Sequence, residues 1–167
     1  MKKALILNIS YLIIIFISGA QNSKLIGTWR GTFNEYFHGD TDVEIKIDYI
    51  DNDWQVRLKR RMHRYSYDQN WNCYDIEQKG DTLKWYYKLS TKYERGQKNK
   101  NDKELSFSIS KVAARVIYKG GVLHYISFDW ENTIDYGFDG EVINQYESPT
   151  TNQAYIHETI LYKIEDK

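Results

Sequence analysis

The chain has 167 residues, 23 of them Lys or Arg and 23 Asp or Glu, a balance that argues against bulk nucleic-acid binding, which draws on clustered excess positive charge. A single cysteine, Cys73, excludes an internal disulfide, so a hydrophobic core must carry the stability. Five tryptophans, fifteen tyrosines and one proline describe an aromatic, β-prone chain whose length suits one domain.

Met1-Lys2-Lys3 is a short basic head, Ala4 to Ile17 is largely apolar, and Ser18-Gly19-Ala20 offers small residues for cleavage. That is the three-part pattern of a secretory signal peptide, and its apolar run is shorter than the roughly 20 residues a spanning helix needs. The expectation is a signal peptide over 1–20 and one soluble domain over 21–167, secreted or periplasmic. Gln21 would be the new N-terminus and cannot take the lipid that a cysteine there would carry, so no stable membrane anchor is expected. Cleavage removes Lys2 and Lys3 and no acid, which leaves 21 basic residues against 23 acidic ones, a net charge of −2.

Period-two alternation follows from end to end. A first strand spans Gly27–Tyr36. His38, Asp40 and Asp42 would share one face of an extended strand, as a metal site needs. Gly39-Asp40 is an ordinary turn dipeptide, and a solvated turn without metal is the reading. Val43, Ile45, Ile47 and Tyr49 alternate with charged residues, Asp51-Asn52-Asp53 turns the chain, and Trp54, Val56 and Leu58 continue the apolar face. Arg57 to Arg64 (RLKRRMHR) is the densest basic run. Arg57, Lys59, Arg61 and His63 fall on its outer face, while Arg60 and Arg64 share the face of Val56 and Leu58. The outer row is either a solvated face or a patch for an anionic glycan or acidic protein.

Weaker runs cover Trp71–Gln78 and Gly140–Tyr146. Cys73 reads as a buried, inert thiol. Leu83, Trp85, Tyr87 and Leu89 alternate after a turn at Gly80-Asp81, and Lys92–Lys103 is a polar hairpin tip. Leu105, Phe107 and Ile109 alternate with serines. Gly120-Gly121 joins Ala113–Tyr118 to Val122–Trp130 as a second hairpin. His124 shares a face with Val122, Ile126 and Phe128 and reads as a satisfied core histidine. Asp135, Asp139 and Gly140 match positions one, five and six of a calcium loop, but Gly137 and Tyr146 occupy positions that need oxygen ligands, which rejects an EF-hand. A last strand spans Tyr155–Ile164.

About eight to ten strands without a helical period predict an all-β fold. An antiparallel meander closed into a barrel is expected, since closure removes exposed edges; a β-sandwich is the alternative. Gly27-Thr28-Trp29, opening the first strand of a domain of this size, resembles the Gly-x-Trp signature of the calycin superfamily, which includes the lipocalins and the avidin-like proteins. The resemblance implies that Trp29 packs across the closed end of a barrel and that Gly27 permits close approach, both in structural roles. The chain departs from the lipocalin pattern in three ways. Lys163 is the nearest basic residue where an Arg on the last strand would stack on the Trp, no helix precedes that strand, and Thr133-Ile134-Asp135-Tyr136 is one residue longer than the family's Thr-Asp-Tyr. A simple lipocalin-like or avidin-like meander fits best.

The function expected from this likeness is non-covalent binding of a small, partly apolar ligand inside the barrel, without catalysis or cofactor. Tyr49, Trp54, Trp85, Tyr87 and Phe107 are expected to line the site, with Arg60 and Arg64 at a polar mouth. The alternative is an extracytoplasmic module with a packed core that meets a protein or glycan through its outer face. An enzyme on a barrel scaffold comes third, because no Gly-x-Ser-x-Gly, His-Glu-x-x-His or phosphate-binding glycine loop is present.

Overall fold

The computed structural model describes residues 24–35, 39–63, 67–99, 102–147 and 155–165; the expected signal peptide, His38 and Arg64 lie outside them. These residues form ten strands: β1 Gly27–Glu35, β2 Gly39–Ile50, β3 Asp53–Met62, β4 Tyr67–Asn72, β5 Tyr74–Lys79, β6 Thr82–Lys92, β7 Phe107–Lys119, β8 Val122–Tyr136, β9 Val142–Glu147 and β10 Tyr155–Ile164. The turn signals act where the sequence puts them. Asp51 and Asn52 take φ of 54° and 65°, and Gly120 and Gly121 take 63° and 87°, the paired positive values that a type I′ turn requires. Trp71–Gln78, read as one run, is two strands that break at Cys73.

All strand pairs are antiparallel, and the sheet runs β4-β3-β2-β1-β10-β8-β7-β6-β5. β8 is long enough to take two partners along one edge, β10 beside Leu123–Phe128 and β9 beside Asn132–Tyr136, while β7 occupies the other. No ladder joins β4 to β5 among the described residues, so the path does not close on itself. Its two ends nevertheless share a core. Trp71 of β4 and Tyr87 of β6 approach to 5.0 Å between ring centres, and Ile76 of β5 packs on the same core as Trp71.

One continuous core gathers Trp29, Ile45, Leu58, Trp85, Val116, Tyr125 and Leu161 from strands along the whole path. A smaller cluster of Ala113, Ile126 and Phe128 lies on the opposite face of β7 and β8. It corrects the reading of His124. Leu123 and Tyr125 are the fully buried residues of that stretch, and His124 shares the outward face with Ile126 and Phe128. Both faces of β8 are apolar here, so alternation alone could not tell core from cover. No helix among the described residues is long and apolar enough to cross a membrane.

Candidate functional site

Trp29 is 1% exposed, its indole N–H donates to the Leu25 carbonyl at 2.9 Å, and Tyr118 meets it edge-on at 6.3 Å. The Lys163 ammonium lies 5.6 Å over its ring, a cation–π contact worth ~0.5–2 kcal/mol. At Gly27 a Cβ would meet Lys163 Cε at 2.6 Å. Trp29 and its neighbours stopper this end of the core.

The five aromatic residues expected to line a cavity do not surround one space. Tyr49 and Trp54 pair at 4.9 Å beside the Asp51-Asn52 turn, with Tyr49 37% exposed. Trp85 stacks on Tyr125 at 6.4 Å, and Tyr87 meets Trp71. Ile45, Ile47, Leu83, Trp85, Tyr125 and Leu161 have no accessible surface, so no water-sized void opens among them. Phe107 sits on the other face of β7, stacked on Tyr136 at 4.5 Å. The reason is the length of β7. It is a single strand of 13 residues, and the row that carries Val112, Ala114 and Val116 into the core continues through Ser110 and Ser108. Phe107 and Ile109 fall in the alternate row.

Arg60 turns inward as expected, 9% exposed with its guanidinium 5.1 Å over the Phe33 ring. Phe33 in turn stacks on His157 at 4.4 Å. The outer row of the basic run is matched by acids. Arg57 lies 3.5 Å from Asp48, Lys59 and Arg61 face Asp68 at 3.5 and 3.8 Å, and His63 approaches Asp42 at 2.8 Å. Arg30 bonds Glu44 on the same face at 2.6 Å. A shallow groove of about 420 Å³ runs between these pairs, lined by Arg30, Thr32, Asp42, Glu44, Lys59 and Arg61. The burial of the Asp42 carboxyl opposes its ionisation, but hydrogen bonds from Thr32 and His63 outweigh it and hold the pKa below its ordinary value. Cross-strand neutralisation leaves this face with little net field.

The feature that sequence reasoning missed lies where β7 and β8 extend beyond the apolar core. Directly opposed residues of antiparallel strands share a face, so the inward serines of β7 confront Thr133 and Asp135 of β8. Ser110 and Thr133 hydroxyls meet at 2.8 Å, and Ser108 Oγ donates to Asp135 Oδ1 at 2.6 Å. Ser108 Oγ also lies 3.2 Å from the Tyr93 hydroxyl. The serine has one proton and spends it on the carboxylate, so Tyr93 donates in that contact. Asn144 Nδ2 reaches Asp135 Oδ2 at 3.5 Å. Asp135 is 4% exposed.

Above this carboxylate opens a pocket of about 220 Å³ lined by Tyr93, Asn99, Leu105, Asp135, Asn144 and Tyr146. Three segments build it: the β6–β7 tip, β8 and β9. The tip is held in place by backbone bonds from Tyr93 to Ser106 (2.9 Å), Leu105 to Gln97 (2.8 Å) and Ser106 to Tyr136 (2.9 Å). Lys98 pairs with Asp102 at 2.9 Å within it. Burial, then Asp135 and Tyr93, push the Tyr146 phenol upward, with only a hydrogen bond from Thr133 opposing. Asp139, the other acid of the calcium-loop comparison, points elsewhere and caps the turn by accepting from the Glu141 amide at 3.0 Å. The signal that could have found the pocket was the pairing of a serine row with Thr133 and Asp135. It was hidden because two register shifts in β8 separate this end from the core. Searches of protein-family models, of curated proteins and of solved structures found no match to the chain.

Proposed function

We propose that the protein is an extracytoplasmic, calycin-like β-barrel that binds a small molecule without performing chemistry on it, in the polar cup at the end of its interior. The observation that carries this reading is the 220 Å³ pocket with the 4%-exposed Asp135 carboxylate at its floor. A site of that kind, concave and with a few convergent polar groups among rings and an apolar side chain, is how small ligands are held. Barrel closure is supported by Trp71 of β4 against Tyr87 of β6 and by Ile76 of β5 on the same core, which bring the two ends of the sheet together. The calycin likeness is supported by Trp29 as a stopper and by Lys163 over its ring, in place of the arginine of the lipocalin pattern. The signal-peptide pattern of Met1–Ala20 supports export.

The test is a saturation-transfer NMR screen of the full chain against a fragment set that holds cations, anions and neutral molecules. Fragments that bind the wild type should be lost in Asn144→Phe, which fills the pocket. An absence of binders, or binders indifferent to the filled pocket, would sink the reading. A second reading, a protein-interaction module, draws on the outer face of β10, where Ile160 and Tyr162 are 41% and 62% exposed.

A further inference from the structure

Among the described residues the Asp135 carboxylate has no counter-ion. Its hydrogen-bond partners are Ser108 at 2.6 Å and Asn144 at 3.5 Å, both neutral, and among the described residues no Lys, Arg or His pairs with it. A carboxylate taken from water is costly unless it is both paired and hydrogen-bonded. Two neutral donors, one of them at the limit of reach, are thin compensation.

We propose that this pocket binds a small organic ammonium ion, with the Asp135 carboxylate as its counter-ion. The assignment rests on the small-molecule reading above and names its ligand. Asp135 Oδ1 is already engaged by Ser108, whereas Oδ2 has only the long Asn144 contact and keeps lone pairs for an N–H donor. The two phenol rings that line the pocket, Tyr93 and Tyr146, offer electron-rich faces that favour a cation. Leu105 supplies an apolar wall for the carbon skeleton.

Other ligand classes fit less well. An anion would meet the carboxylate, and a neutral molecule would leave it uncompensated. Calcium takes six to eight oxygens, but Asp135 is the only acid of this lining, and no group of three His, Cys, Asp or Glu is gathered anywhere among the described residues.

Isothermal titration of the full chain with phenethylammonium, 2-phenylethanol and 3-phenylpropionate separates these cases, because the three probes share a skeleton and differ in charge. The ammonium should bind at least about tenfold more tightly than the alcohol, as a charge-assisted bond adds, and the propionate should not bind. In Asp135→Asn the preference should fall to parity. Tyr146→Leu keeps the carboxylate and should weaken the ammonium severalfold, which serves as the check if the first variant does not fold. Alcohol binding as tight as ammonium binding would overturn the ligand class while leaving the pocket as a binding site. Displacement of phenethylammonium by equimolar calcium would also overturn it. Failure of all three probes together with the fragment screen would end both proposals.

Discussion

At Gly31 an added Cβ would lie 2.4 Å from the Ile160 carbonyl oxygen and 2.7 Å from Leu161 Cδ2. The first obstacle is backbone of the paired strand and cannot yield without opening the β1–β10 seam. Gly31→Ala should therefore cost about 2 kcal/mol or more, as overpacking against a fixed wall does. An unchanged urea midpoint would mean that β10 is held more loosely than its bonds suggest. Cys73 gives a second prediction at this scale. Burial pushes its thiol up to about 12, against a weak opposing bond to Leu58. Below pH 9 the thiol is neutral folded or unfolded, and its full contribution to stability is present. Between 9 and about 12 the unfolded chain ionises first, so stability falls across that window. The buried hydroxyls of Tyr87 and Tyr125, also raised by desolvation, add in the same direction. Cys73→Ser should flatten the decline in a pH series of thermal melts, and native Cys73 should resist alkylation at pH 8 until the chain is denatured.

Among the elements, the β2–β3 hairpin was legible because turn chemistry is local. Asp51 and Asn52 are residues that tolerate the left-handed region, and the structure uses both there. Asn52→Gly should raise stability by about 0.5 kcal/mol and Asn52→Val lower it by about 1–2 kcal/mol, since a β-branched side chain resists positive φ; equal denaturation midpoints for the two would refute the turn assignment. The faces of β7 and β8 were not legible, for a reason that is equally physical. Period two shows which residues share a face but not which face is the core. Where Ala113, Ile126 and Phe128 form a second apolar cluster outside, the choice is made by neighbouring strands. The polar end of β7 hid the pocket in the same way. Ser108 and Ser110 look like a solvent row beside Phe107 and Ile109, and only their continuity with Val112 and Ala114 turns them inward. Asp135 could be seen in the sequence only as the first position of a failed calcium loop, because its partners Ser108 and Asn144 come from two other strands.

For the whole molecule, this arrangement separates what holds the fold from what would hold a ligand. The apolar part of the interior around Trp85 and Tyr125 has no accessible surface, while the polar end keeps a carboxylate without a cationic partner among the described residues beside open space. Natural proteins concentrate such locally unfavourable groups at functional sites and offset them elsewhere. The two regions should then respond oppositely to substitution. Trp85→Phe removes packed volume from a filled core and should lower stability by about 1–3 kcal/mol while leaving phenethylammonium affinity as it was. Asp135→Asn keeps the shape and the Ser108 bond and removes a poorly paired buried charge, so the melting temperature should stay level or rise. Its ammonium preference should vanish. Chemical denaturation beside isothermal titration on the same two variants reads both axes at once. If the natively folded Trp85→Phe protein instead lost its ligand and Asp135→Asn kept it, binding would belong to the aromatic interior, and the polar cup would be an incidental end of the strands.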